Sequence, residues 1–184
     1  MITALTMLWF VLSPAALIPA RAFIQAHTGE RHSVFSLCLL LIALNLVIFS
    51  RDGSLMQHVA TSAYMTFLAQ LAFLDARKHW LPLCFTTAFI AAGAVVAISP
   101  SHLAAALILW LPFFVMEHYP NGPGRGDKWL CAGIGMWQGL QQGLLILVLS
   151  LLLLVIVTRL IKRHSCGQPL APWVLVASVL LFPF

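Results

Sequence analysis

The 184-residue chain carries only five acidic side chains, and three of them stand where an apolar run meets a polar segment. Asp75 closes one run in Leu74-Asp75-Ala76-Arg77-Lys78, Glu117 precedes His118 at the end of another, and Asp127 ends Asn121-Gly122-Pro123-Gly124-Arg125-Gly126-Asp127. A carboxylate at the edge of hydrocarbon is costly enough to mark a functional hypothesis. Two carboxylates that share a site hold one proton between them, so one is neutral while the other is ionised. The ionised member can take a proton from water and the neutral one can polarise a peptide carbonyl, which is the chemistry of aspartyl proteolysis. That chemistry calls for neither metal nor cofactor, and none is expected.

Each acid also has a plainer role open to it. Asp75 could pair at the interface with Arg77 or Lys78. Asp127 could cap the helix that follows it, where the dipole favours negative charge. Glu117 reads as structural, or as supporting a catalytic group from behind, rather than as catalytic itself, and Glu30 and Asp52 read as solvated loop residues.

The elements that must position these acids follow from composition. Hydrophobic residues make up 61% of the chain and charged residues 8%, against roughly 45–50% and about 25% in an average soluble domain. Ten basic and five acidic side chains could not keep so much apolar surface in water, so soluble and disordered classes are excluded. The fold class is therefore all-α, a polytopic transmembrane bundle. The net charge of +5 is explained by basic residues between apolar runs rather than by nucleic acid. Cys38, Cys84, Cys131 and Cys166 form no CxxC pair, and the seven histidines have no helical zinc spacing, so neither a metal site nor a disulfide framework is expected.

Cut at Pro, Gly and charge clusters, the apolar runs are 2–20, 33–49, 58–74, 81–99, 102–117, 139–158 and 170–184, with a doubtful stretch at 128–138. Eleven residues of helix rise only about 16 Å, roughly half the hydrocarbon core. If all eight cross, nine basic residues fall on one side (Arg21, Arg31, Arg77, Lys78, Arg125, Lys128, Arg159, Lys162 and Arg163) and Arg51 alone on the other. That asymmetry places the basic side in the cytoplasm and both termini outside. Without the doubtful crossing the split falls to six against four, so eight crossings are expected. Both Asp75 and Asp127 then face the cytoplasmic side. Gly135, Gly139 and Gly143, four residues apart, allow a neighbouring helix to approach closely. The N-terminal run lacks the basic start of a signal peptide and reads as a retained helix, followed by a first cytoplasmic loop over Arg21 to His32.

At the acids the sequence resembles the type IV prepilin peptidases, membrane aspartyl proteases of the GxGD class, over roughly its last 125 residues. The family's helix-closing Asp, basic residue and Leu-Pro correspond to Asp75, Arg77, Leu81 and Pro82. Its Gly-x-Gly-Asp corresponds to Gly124, Arg125, Gly126 and Asp127. Downstream, Gly135 to Gly139, residues 144–157, Arg159 to Arg163 and Gly167-Gln168-Pro169 follow the family pattern. The resemblance implies a catalytic pair of Asp75 and Asp127, supported by Gly124 and Gly126, acting on prepilins or pseudopilins. Their short basic leader would be cut at the cytoplasmic face of the bacterial inner membrane, just after a leader Gly. Arg77, Arg125 and Lys128 are candidates for substrate contact or for tuning the acids, with lipid headgroup contact an equal alternative for Arg125 and Lys128. Lys128 departs from the pattern, since the family usually places a hydrophobic residue directly after the motif Asp and the Lys beyond it. The short first loop lacks the family's cysteine pairs, so methyl transfer is not expected.

The expected organisation is two N-terminal segments over 1–57 and a six-segment peptidase core over 58–184. Prepilin substrate and membrane lipid are the expected partners, without nucleic acid. A small ion- or proton-coupled transporter is the alternative, because intramembrane acids and broken helices also mark ion pathways. Against it stand acids gathered at one face and no visible inverted repeat. A catalytically silent assembly protein is a third possibility.

Overall fold

The computed structural model of the chain describes residues 2–29, 33–97, 99–119, 124–161 and 168–181. The expectations placed on Glu30, Arg31 and His32, on Pro120 to Pro123, and on Lys162 to Gly167 lie outside these. The described residues form helices and their connections, with no strand among them: α1 (Ile2–Ala15), α2 (Leu17–Thr28), α3 (Phe35–Phe49), α4 (Leu55–Lys78), α5 (Leu83–Val96), α6 (Pro100–Met116), α7 (Asp127–Ile161) and α8 (Ala171–Leu181). Among the described residues three stretches are long and apolar enough to cross a membrane, Trp9–Thr28, Leu55–Lys78 and Asp127–Leu160, the last interrupted at Gly139. Outward-facing Leu39, Leu46, Leu107, Leu111, Val148, Leu152 and Val155 are exposed, which suits a hydrocarbon surround and would be costly in water.

The central helix is α4. Ser54 and Gln57 close a reciprocal capping box at its start, the Ser54 side chain accepting from the Gln57 N–H at 3.2 Å and the Gln57 side chain accepting from the Ser54 N–H at 3.0 Å. From Ser62 to Asp75 it is buried almost all round, as befits a helix enclosed by others rather than one with a single apolar stripe. Tyr64 on this helix hydrogen-bonds Ser178 of α8 at 2.9 Å. Asn45 of α3 donates to Ser13 of α1 at 2.6 Å and accepts from Ser62 of α4. These buried polar groups are satisfied by one another, which ties the N-terminal helices to α4 at little desolvation cost.

The expected first loop from Arg21 to His32 is corrected: α2 runs on through Arg21 to Thr28 and stops at Gly29, whose φ of 70° gives the left-handed helix stop. The reason lies in its spacing. Ala20 and Ile24, four residues apart, bury against Phe73 and Leu74 of α4, and this packing holds the segment helical despite its polar residues.

Helix α7 is not straight. At Gly139 the backbone adopts φ 71° and ψ −174°, a region open in practice only to glycine. A Cβ on Gly143 would lie 3.8 Å from the Cα of Gly135, whereas eight residues of straight helix span about 12 Å. Residues 127–138 and 140–161 are therefore two legs folded back on each other, and the short stretch singled out in the sequence is the first leg. Gly135 sits on the backbone of α6: an added Cβ would meet Ala105 and Ala106 main-chain atoms at 2.7 Å. Trp137 Nε1 donates to Phe89 O of α5 at 2.8 Å, and its ring fills the space left by Gly93.

Because main chain cannot swing aside as a side chain can, Gly135→Ala is expected to cost about 1–3 kcal/mol. This would be read as a lower unfolding temperature of the detergent-solubilised protein. An unchanged temperature would show that α6 can give way.

Candidate active site

Asp75 lies in the last turn of α4, only 4% exposed. Its Oδ2 accepts the Ala171 N–H at 2.8 Å, so the carboxylate ties the start of α8 to the end of α4 and caps one of that helix's unpaired amides. One residue type in this turn is unusual: His79 ends α4 in the left-handed conformation, φ 50°, its N–H bonded to Asp75 O at 2.8 Å. The reversal sends Trp80, Leu81 and Pro82 back across the helix end.

Asp127 opens α7. Its Oδ2 accepts the Gly124 N–H at 2.9 Å, while its own N–H donates to Gly124 O at 3.0 Å, so the Gly124 to Asp127 turn is closed twice. Gly126 has no room for a side chain there, and Gly124 has little. A Cβ on Gly126 would stand 2.5 Å from Leu81 Cβ and 3.1 Å from Leu81 O, and one on Gly124 would lie 3.3 Å from Asp127 Oδ2. The Gly-Arg-Gly-Asp turn thus packs directly on the Leu81-Pro82 segment that follows Asp75.

The result is a cavity of about 510 Å³ lined by Asp75, His79, Trp80, Leu81 and Leu83 from the end of α4 and its connection to α5, by Gly124 to Trp129 from the start of α7, and by Gln168. The two acids, from distant parts of the chain, both line it. Among the described residues no group of three or more His, Cys, Asp or Glu side chains is placed to hold a metal ion.

A family model described as the type IV leader peptidase family matches residues 62–159, 98 of the 184 residues. The chain belongs to the type IV leader peptidase family. No curated protein and no solved structure gives a significant match. For this leader peptidase family member the matched stretch holds both acids, both motif glycines and the hairpin at Gly139. It leaves out α1 to α3 and α8, although α8 supplies the amide that Asp75 binds.

The basic candidates separate. Arg125 and Lys128 line the cavity, whereas Arg77 is exposed and lies off it. Lys128 is already engaged, its Nζ 2.6 Å from Glu117 Oε2. The Lys128 ammonium beside it, with the charges of His118 and Arg125, holds the Glu117 carboxyl below the usual carboxylate range against the opposing effect of desolvation. His79, Trp80, Leu83 and Trp129 are cavity residues that the sequence did not single out as functional. The start of α8 had a legible cue, Pro172 in its first turn, where the missing N–H leaves no helix hydrogen bond unmade.

Proposed function

We propose that this leader peptidase removes the short basic leader of type IV prepilins or pseudopilins at the cytoplasmic face of the bacterial inner membrane, with Asp75 and Asp127 as its catalytic pair. The observation that carries the proposal is their shared cavity. Water held between the carboxyls loses a proton to the ionised one as its oxygen attacks the scissile carbonyl. The neutral carboxyl gives its proton to the carbonyl oxygen, and collapse of the tetrahedral species returns a proton to the leaving amine. A cytoplasmic orientation is supported by the basic residues, which eight crossings would divide nine on the side of both acids and Arg51 alone opposite. The peptidase core occupies residues 58–184, and peptidase activity proceeds without methyl transfer.

Co-expression with a prepilin, read as leader removal on a gel, tests this directly: processed pilin is expected only with the wild-type enzyme present. A prepilin left at full length by abundant, folded enzyme would overturn the assignment of this substrate. Because carboxyl groups alone move the protons, cleavage is expected to change less than about twofold in the presence of EDTA or after replacement of all four cysteines. Strong loss with the chelator, restored by a divalent cation, would point to metal chemistry instead.

A further inference from the structure

We propose that Glu117 and Lys128 form a latch that holds Asp127 at its working position, making them positioning residues for leader cleavage. The proposal presupposes that Asp127 is catalytic, as above. Glu117 is the residue at which α6 ends, and Lys128 directly follows Asp127 in the first turn of α7. Their charged atoms lie 2.6 Å apart, with the side chains only 13% and 15% exposed for Lys128 and Glu117.

Aromatic rings shield the pair. The Lys128 ammonium is 5.2 Å from the centre of the Phe114 ring and 5.9 Å from that of Trp129, and Phe114 stacks on Trp110 at 4.4 Å. Rings beside the Lys128 ammonium reduce its contact with water and strengthen both the ionic and the cation–π attraction relative to a fully exposed pair. A surface ion pair would contribute little; this one is largely covered.

Its leverage comes from sequence adjacency. Asp127 and Lys128 share one peptide plane in a helical turn, so a displaced Lys128 carries Asp127 with it. Asp75 is held from outside its own helix by the amide of Ala171. The ion pair gives Asp127 a comparable tie to another helix, while Gly124 holds it only locally.

The test is steady-state cleavage of a prepilin-type substrate, leader plus following apolar helix, by the full chain in bilayers. Glu117→Gln and Lys128→Met are each expected to lower kcat about tenfold with KM changed less than about twofold, because a misplaced acid spoils the transition state more than binding. Lys128→Arg keeps the charge and is expected to retain activity within about twofold. The double variant should be no slower than the slower single, since both remove one interaction.

Unchanged kcat in both single variants, effects that multiply in the double variant, or loss of folded protein in both singles would overturn the latch. Asp127→Asn, assayed in parallel, separates the levels. If it still cleaves, the catalytic assignment fails and the latch with it. If it is dead while Glu117→Gln is fully active, the latch alone fails.

Discussion

Asp75→Asn and Asp127→Asn are each expected to lower leader cleavage by about a thousandfold or more while leaving a folded protein in the membrane. The size follows from general acid–base catalysis, which contributes on the order of 10²–10⁴ per group, and from the loss of proton exchange between the two carboxyls. Folding survives because an amide oxygen still accepts a hydrogen bond. The Asp75→Asn variant would keep an acceptor for the Ala171 N–H, and the Asp127→Asn variant one for the Gly124 N–H, in place of the bonds made now.

Alanine provides the contrast at position 75. Asp75→Ala deletes the cap on α8 as well as the acid, and is expected to add a stability loss of about 1 kcal/mol, seen as a lower unfolding temperature than that of Asp75→Asn. The variant carrying both Asn substitutions should be about as active as the less active single one, as for groups that act as a unit. Near-normal leader removal by either single Asn variant, with wild-type protein levels on an immunoblot, would take that residue out of the mechanism.

The second large effect is expected at a residue with no side chain. Gly126→Ala places a methyl group 2.5 Å from Leu81 Cβ and 3.1 Å from Leu81 O, atoms at or next to the backbone that cannot rotate away. The turn must lift from the Leu81-Pro82 segment, and Asp127 moves with it. A shift of about 1 Å at a catalytic group costs roughly 10²-fold in rate, so a loss of that order is expected for Ala and more for Val. Gly124→Ala meets only the Asp127 side chain, at 3.3 Å, and should lose less. Purified variants ranked by kcat against the same prepilin check the order; equal activity of Gly126→Ala and wild type would show that the two segments need not touch.

The Leu81–Gly126 contact also explains why a short motif could be informative. Asp75, Leu81 and Pro82 stand far from Gly124, Gly126 and Asp127 in the chain, and either half alone is weak evidence. In the fold they form one packed junction, so neither half can change without disturbing the other. The departure at Lys128 has a physical account of its own: placed directly after Asp127, its ammonium reaches Glu117 at the end of α6.

Much about this protein was decided locally and is therefore legible without coordinates. Hydropathy points to an all-helical membrane-type chain, glycine and proline mark where helices stop, and the rarity of acids narrows the candidates to Asp75, Glu117 and Asp127 at the ends of apolar runs. What needed tertiary structure depends on contacts between residues far apart in sequence. Apolar packing of Ala20 and Ile24 on α4 turned an expected loop into helix, Gly139 folded α7 back because its two legs and α6 pack closely at Gly135 and Gly143, and the α8 amide and Glu117 became partners of the site. Period and composition report a residue's preference for helix and hydrocarbon, whereas which side chain meets which is settled only when whole helices bury their surfaces together.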